Sequence, residues 1–325
     1  MSYHFNLNML SESDMGNRKE KLYGSRVVRG TLHLPPGRAN AGQGTLLICH
    51  GFKGFKDWGF FPFAAEQLAI LTNLNVIRFN FSHNGVGADM GSFSEPERFA
   101  VNTYEREQED LASVMALVHS EAFLQWKEQL YASLALSDPI RIPSFDSRML
   151  IQANDTSNKP IFILGHSRGG ATALLYALDY SEHIAGILTW NGVTNVDLFS
   201  TEQKENLRTT GRSQVINART GEALPLDAVV LEDLERNAER YQIIERISTA
   251  QFPLIMVQGS NDLPGFCEGS SRLQQQYKEA EWVIIDEAGH TFQAVHPFQG
   301  TTRQLNEAIE HSAAWLKKQL QLRHK

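Results

Sequence analysis

One stretch limits the possible folds more than any other: Ile161-Phe162-Ile163-Leu164-Gly165-His166-Ser167-Arg168-Gly169-Gly170-Ala171. An apolar run of strand length ends in Gly165, Ser167 follows between glycines, and a helical pattern continues through Leu174, Leu175, Ala177 and Leu178. A strand that turns sharply into a helix at a serine lifts the hydroxyl onto the end of a sheet in a strained conformation. Side chains two residues either side of the serine would collide in that turn, and Gly165 and Gly169 remove them. The Gly-x-Ser-x-Gly pattern alone would arise by chance about 0.1 times in a chain of this length. Its weight therefore comes from the strand and helix that flank it.

The rest of the chain repeats the strand–helix rhythm. Residues 1–21 are polar and mixed, with a weak edge-strand pattern over 1–10. Residues 25–34 alternate and stop at Pro35-Pro36, as a strand does. TLLIC at 45–49 is a continuous apolar run suited to a strand buried on both faces. It leads into an aromatic, glycine-containing loop at 50–59, then a helix over about 62–72 and a strand at 75–81. A long helix, either continuous or broken once, is expected from about 97 to 126, and 127–158, with Pro139 and Pro143, reads as an irregular insertion. Further strands are expected at 184–190, 253–259 and 282–286, with helices near 268–278 and 302–322. Residues 191–250 break the rhythm with a hairpin turning near Thr220-Gly221 and a charged helix at about 234–247. The expected fold is α/β: a mostly parallel central sheet with helices on both faces. The expected division is a core of 1–190 and 251–325, with an insertion at 191–250 acting as a cap.

A serine hydroxyl is a weak nucleophile unless a base lies within hydrogen-bond reach and a third group orients that base. In an open α/β sheet such groups collect at the carboxyl ends of strands. After Ser167, the run PLIMVQG leads to Asp262 and the run WVIID leads to His290. The order Ser, Asp, His and the room for one helix and one strand between 262 and 290 make Ser167, Asp262 and His290 the candidate triad. Read alone, Asp262 is a turn residue beside Asn261 and Pro264, and His290 a solvated loop histidine; three strand-end placements together outweigh those readings. Asp286 and Glu287 lie too near His290 in sequence to orient it, His296 is a competing base, and His166 is expected to point away from the serine and pack. The oxyanion of an acyl-transfer intermediate needs two fixed donors. The backbone N–H of Arg168, at a helix start, is one candidate. The backbone N–H of Phe52, in the His50-Gly51-Phe52 loop, is the other. Among the nearby aromatics, most of which serve the core, Phe55 and Trp58 are candidates for a substrate pocket, while Lys53 and Lys56 could attract a carboxylate or simply be solvated.

GHSRGG at 165–170, HGFKG at 50–54, RFNFSHNG at 78–85, QGSNDLPG at 258–265 and AGHTF at 288–292 resemble the α/β-hydrolase superfamily over residues 22–320. The short HGFxG loop and the FNF-x-x-x-G segment are similar to the branch of feruloyl and cinnamoyl esterases, dienelactone hydrolases and acylaminoacyl-peptidase-like enzymes. The resemblance implies the same triad and oxyanion residues, and a cap inserted after the sixth strand. Two departures concern the substrate: Ser82-His83-Asn84-Gly85 stands where many such esterases carry an aspartate soon after Gly-His-Gly, and the 127–158 insertion is atypical.

Composition is that of an ordinary globular protein: 325 residues, 42% hydrophobic, 21% charged and a net charge of −7. That charge argues against a nucleic-acid surface. Cys49 and Cys267 make neither a disulfide framework nor a zinc motif, and no apolar run is long enough for a signal peptide core or a membrane span. The expectation is a cytoplasmic serine hydrolase needing no metal or organic cofactor, with a small-molecule ester as its partner and no nucleic acid or membrane. Alternatives are peptidase or aminopeptidase-like activity or thioester cleavage on the same triad, and, from another class, a non-catalytic binding protein that keeps the fold. Oligomeric state is not readable from the sequence.

Overall fold

The computed structural model of the chain describes residues 1–9, 26–36, 43–133, 142–147, 150, 159–217 and 220–323. Along the first half run β1 (Ser2–Asn8), β2 (Val27–His33), β3 (Thr45–Cys49), α1 (Phe61–Thr72), β4 (Asn75–Asn80), α2 (Pro96–Ala100), α3 (Tyr104–His119), α4 (Glu121–Ser133) and β5 (Ser144–Asp146). Then come β6 (Ile161–His166), α5 (Arg168–Asp179), β7 (Gly186–Trp190), α6 (Thr201–Thr210), β8 (Arg212–Ile216), β9 (Ala223–Asp227), α7 (Val229–Arg236) and α8 (Ile243–Arg246). The chain closes with β10 (Leu254–Gly259), α9 (Pro264–Gln276), β11 (Glu281–Ile285) and α10 (Arg303–Arg323).

Among the described residues the main sheet has the order β11-β10-β7-β6-β3-β4-β2-β1-β5. The six strands from β11 to β4 are parallel; β2 runs antiparallel to β4 and to β1. Strands β4, β6, β7 and β10 are buried at every position, as continuous apolar runs require when helices cover both faces. One core packs α1 and α10 against the sheet through Leu68, Phe162, Trp190, Trp315 and Leu316. The other packs α3, α5 and α8 through Leu111, Leu174, Ile187 and Ile243. Among the described residues no helix is long and apolar enough to cross a membrane.

Several elements differ from expectation. The helix expected over 97–126 is three helices. Thr103 caps α3 by accepting from the Arg106 N–H, and Ser120, extended at ψ 144°, ends it. Of the 127–158 stretch expected to be irregular, Lys127 to Ser133 continues α4 and β5 pairs parallel with β1, while 134–141, 148–149 and 151–158 lie outside the described residues. The weak amino-terminal strand is not at the edge; β1 lies between β2 and β5. The helix expected over 234–247 is α7 and α8, separated by turns at 237–242. The hairpin forms as β8 paired with β9, outside the main sheet, with 218–219 of its turn outside the described residues.

Candidate active site

Ser167 sits between β6 and α5 at φ 56° and ψ −124°. That positive φ is costly for a residue with a β-carbon, and neighbouring contacts hold it in place. The Ser167 N–H donates to the Trp190 carbonyl (3.0 Å), and its own carbonyl accepts from Gly170 (2.9 Å) and Val193 (3.1 Å). A β-carbon on Gly165 would lie 2.2 Å from the Gly169 carbonyl oxygen, and one on Gly169 would lie 2.3 Å from that of Cys49. The two glycines therefore let the turn close against the end of β3.

The other two candidates arrive from later strand ends. His290 Nε2 lies 2.9 Å from Ser167 Oγ, and His290 Nδ1 lies 2.9 Å from Asp262 Oδ1. The Asp262 side chain is fully buried while His290 keeps 32% of its side chain exposed. Asp262 also accepts from the Leu263 N–H (2.7 Å) and from Gln258 Nε2 (2.8 Å), so its carboxylate is held on both oxygens. The chain thus aligns a hydroxyl, an imidazole and a carboxylate in the geometry of a nucleophile, a base and an orienting acid.

The loop after β3 reaches the same point. A β-carbon on Gly51 would come within 3.3 Å of Ser167 Oγ, which puts this loop against the hydroxyl. His50, buried, donates from Nδ1 to the Gly51 carbonyl (2.9 Å) and accepts from the Phe81 N–H at Nε2 (3.3 Å). Burial pushes its pKa down to about 4, so it stays neutral and can accept. Among the described residues neither the Phe52 nor the Arg168 N–H has a protein acceptor. The Arg168 side chain is buried, donates to Glu107 Oε1 (2.9 Å), and sets its guanidinium 3.7 Å from the Tyr104 ring centre and 5.4 Å from that of Phe52.

A pocket of about 160 Å³ opens beside Ser167, lined by Gly51, Phe52, Lys53, Gly54, Trp58, Phe61, His166, Asn217, His290 and Thr291. Of the two pocket candidates, Trp58 lines it. Phe55 does not: it is 3% exposed, edge-on to Phe93 and His296 in the core behind the loop. Lys56 is also no substrate anchor, since its side chain is buried in an ion pair with Asp57 (2.5 Å), and Lys53 donates to the Ile216 carbonyl of β8 (3.1 Å). His296 accepts from the Gly59 N–H through Nδ1 (2.9 Å), far from the role of a base for Ser167.

His166 packs against Phe60 and Phe61, yet its Nε2 also donates to the His290 carbonyl oxygen (2.9 Å). Burial, then the neighbouring His290, push its pKa down to about 3. Asn191, Gln258 and Asn217 were not anticipated. A polar residue near the end of an otherwise apolar strand, as Gln258 is in PLIMVQG, and an Asn-Gly pair directly after β7 were the available signals.

The prolyl oligopeptidase family matches residues 146–323, more than half of the chain. No curated protein matches it in sequence. Among solved structures it is similar to Est1E from Butyrivibrio proteoclasticus, at 15% identity over 91% of this chain and 95% of that one, with a TM-score of 0.55. It is also similar to the esterase domain of a Rhodothermus marinus protein, at 17% identity over 97% and 98% of the two chains, TM-score 0.51. A monoacylglycerol lipase from Paleococcus ferrophilus aligns at 14% identity over 90% and 99%, TM-score 0.56. At these identities the likeness shows the fold, that of the α/β-hydrolases.

Proposed function

The chain belongs to the prolyl oligopeptidase family of serine hydrolases, and from that premise we propose that it cleaves carboxylic esters through Ser167, His290 and Asp262. The observation that carries the reading is the unbroken contact line from Ser167 Oγ to His290 to Asp262, each step 2.9 Å. His290 Nε2 takes the hydroxyl proton as Ser167 Oγ bonds to the substrate carbonyl carbon. The Phe52 and Arg168 amides hold the oxyanion, and Asp262 stabilises the charged imidazole. The intermediate collapses, His290 gives the proton to the departing alcohol, and an acyl-serine remains. A water deprotonated by His290 then releases the acid and restores the hydroxyl. No step needs a metal or organic cofactor.

The pocket of about 160 Å³, walled by Phe52, Trp58 and Phe61, supports a small acyl group. A dry cavity of similar size holds a benzene ring, so room for about six heavy atoms follows. The hairpin β8–β9 supports a cap role for 191–250: Asn217 at its end lines the pocket, and Ile216 is tied to the loop after β3 by Lys53. The neighbours named as an esterase domain and a monoacylglycerol lipase support ester over amide chemistry. The family match favours the second reading, amide hydrolysis on the same residues.

Ser167→Ala is expected to lower kcat/KM for p-nitrophenyl butyrate by on the order of 10⁴-fold or more, and a fluorophosphonate is expected to label wild-type Ser167. An unchanged rate in the variant, or a wild type that stays unlabelled, removes this function. Alanine p-nitroanilide cleaved faster than the butyrate ester would decide for the amide reading.

A further inference from the structure

Asp262 and His290 touch through their side chains, but a second path joins them. The His290 carbonyl oxygen accepts from Asn191 Nδ2 (2.9 Å). Asn191 Oδ1 accepts from Gln258 Nε2 (3.1 Å), and the same nitrogen donates to Asp262 Oδ2 (2.8 Å). With the 2.9 Å contact from His290 Nδ1 to Asp262 Oδ1, the path closes into a ring. Asn191 and Gln258 are both buried. Their amide orientations are forced by their neighbours. Asn191 Oδ1 faces the Gly259 N–H (2.7 Å) and its Nδ2 faces the Gly289 and His290 carbonyls. Gln258 Nε2 faces two acceptors while its Oε1 accepts from Ser270 Oγ (2.9 Å). Asn191 holds φ 47°, a region asparagine enters more readily than most residues, and this aims its carboxamide across the ends of β7 and β10 at the His290 loop.

We propose that Asn191 and Gln258 are positioning residues for the hydrolytic reaction: Gln258 sets how much negative charge Asp262 presents to His290, and Asn191 sets where His290 stands. This rests on the serine-hydrolase reading of Ser167, Asp262 and His290. The two roles are separable. Without the Gln258 donor, Asp262 remains held at Oδ1 by the Leu263 N–H, so the carboxylate stays in place with one oxygen less neutralised. More charge then faces the imidazole and favours its protonated form, which cannot act as base. Without the Asn191 side chain, the His290 carbonyl keeps only the His166 donor, and the imidazole loses alignment with Ser167 while Asp262 keeps its charge.

The titratable groups facing this ring are few. His166 faces His290 from the end of β6, ring centres 5.0 Å apart, and burial keeps it neutral with a pKa of about 3. Cys267 faces Asp262 from α9, and burial, then Asp262 itself, raise its pKa. The Ser167 hydroxyl completes the set.

The experiment is the pH dependence of kcat/KM for p-nitrophenyl butyrate with full-length wild type, Gln258→Met and Asn191→Gly, the glycine keeping the positive φ. Gln258→Met is expected to move the acid-side midpoint up by about half a unit or more. Asn191→Gly is expected to lower kcat by about 10- to 100-fold with KM and midpoint unmoved. Ser270→Ala, which frees Gln258 to turn, is expected to move the midpoint in the same direction by less, and carries the test should Gln258→Met not fold. A midpoint unmoved in both variants overturns the role of Gln258, and a wild-type kcat in Asn191→Gly overturns that of Asn191. A wild type that neither hydrolyses the ester nor takes a fluorophosphonate refutes the hydrolase reading instead, so the two failures are told apart.

Discussion

At Gly51 a β-carbon would lie 2.8 Å from the Ser167 Cβ and 3.3 Å from its Oγ. At Gly169 it would lie 2.3 Å from the Cys49 carbonyl oxygen and 2.6 Å from that of His50. The difference decides what each glycine is for. Gly169 meets backbone that cannot move without opening β3 from β6, so alanine there disrupts the fold. Gly51 meets the Ser167 Cβ, which side-chain rotation does not move, and at 3.2 Å the His166 carbonyl oxygen, so alanine there must push the loop and the serine apart while the strand pairing is kept. Gly51→Ala is expected to fold with a melting temperature within a few degrees of wild type and to lose about 100-fold in kcat/KM, because a displacement of about 1 Å at the nucleophile is enough for that loss. Purified variant assayed beside a thermal melt checks it. A wild-type rate, or a collapse of the fold, would show that the loop does not meet Ser167 in this way. The glycines flanking Ser167 were readable from the sequence because their constraint is local. Gly51 was readable only as part of a strand-ending loop, since its neighbour is a residue more than a hundred positions away.

Helices α3 and α5 are tied by one carboxylate. Glu107, 2% exposed, accepts from Arg168 Nε (2.9 Å), Thr172 Oγ1 (2.6 Å) and Asn102 Nδ2 (2.8 Å). Burial opposes the Arg168 charge, but Glu107 outweighs it and the guanidinium pKa rises. Glu107→Leu leaves that cation buried without its counter-ion and is expected to destabilise the protein by about 3–5 kcal/mol, whereas Glu107→Leu with Arg168→Met is expected to recover most of the loss. Urea unfolding of the three proteins checks this, and a single variant within 1 kcal/mol of wild type would show that the pair contributes little. Such ties were invisible in the sequence: Glu107 and Arg168 sit in separate helices, and neither local pattern marks its partner. The same holds for β5, whose Ser-Phe-Asp has no strand signal and is a strand only because β1 offers an open edge. The breaks at Thr103 and Ser120 were written in residues that favour caps, yet the apolar periodicity running through them was the stronger signal. The buried parallel strands were plain throughout, because burial on both faces demands continuous apolar runs.

Taken whole, the molecule buries several histidines in neutral form. Burial, then the Arg78 charge, push His33 down to about 3; burial pushes His50 down to about 4; burial and His290 push His166 down to about 3. His83, also lowered by burial, is hydrogen-bonded to Ser82 Oγ (2.9 Å). In the unfolded chain each returns to about 6.5. Between roughly pH 6.5 and pH 4 the unfolded state therefore binds more protons than the folded state, so stability rises with pH in that window and is lost as pH falls through it. The three histidines with quoted values would together remove on the order of 4 kcal/mol by about pH 5.5. Asp110 and Asp233, whose pKa values burial raises, act in the opposite sense, since the folded state takes up their protons more readily. The melting temperature is accordingly expected to be level from pH 8 to pH 7 and to fall from about pH 6.5 downwards, with close to three protons taken up on unfolding near pH 5.5. Scanning calorimetry in buffers of different ionisation enthalpy measures both quantities. A melting temperature unchanged from pH 7 to pH 5.5 would mean that these imidazoles find proton acceptors in the folded protein. Activity measured in this range separates from stability only at temperatures well below the melt. There, a loss of rate that reverses on return to pH 7 shows that the fold was intact.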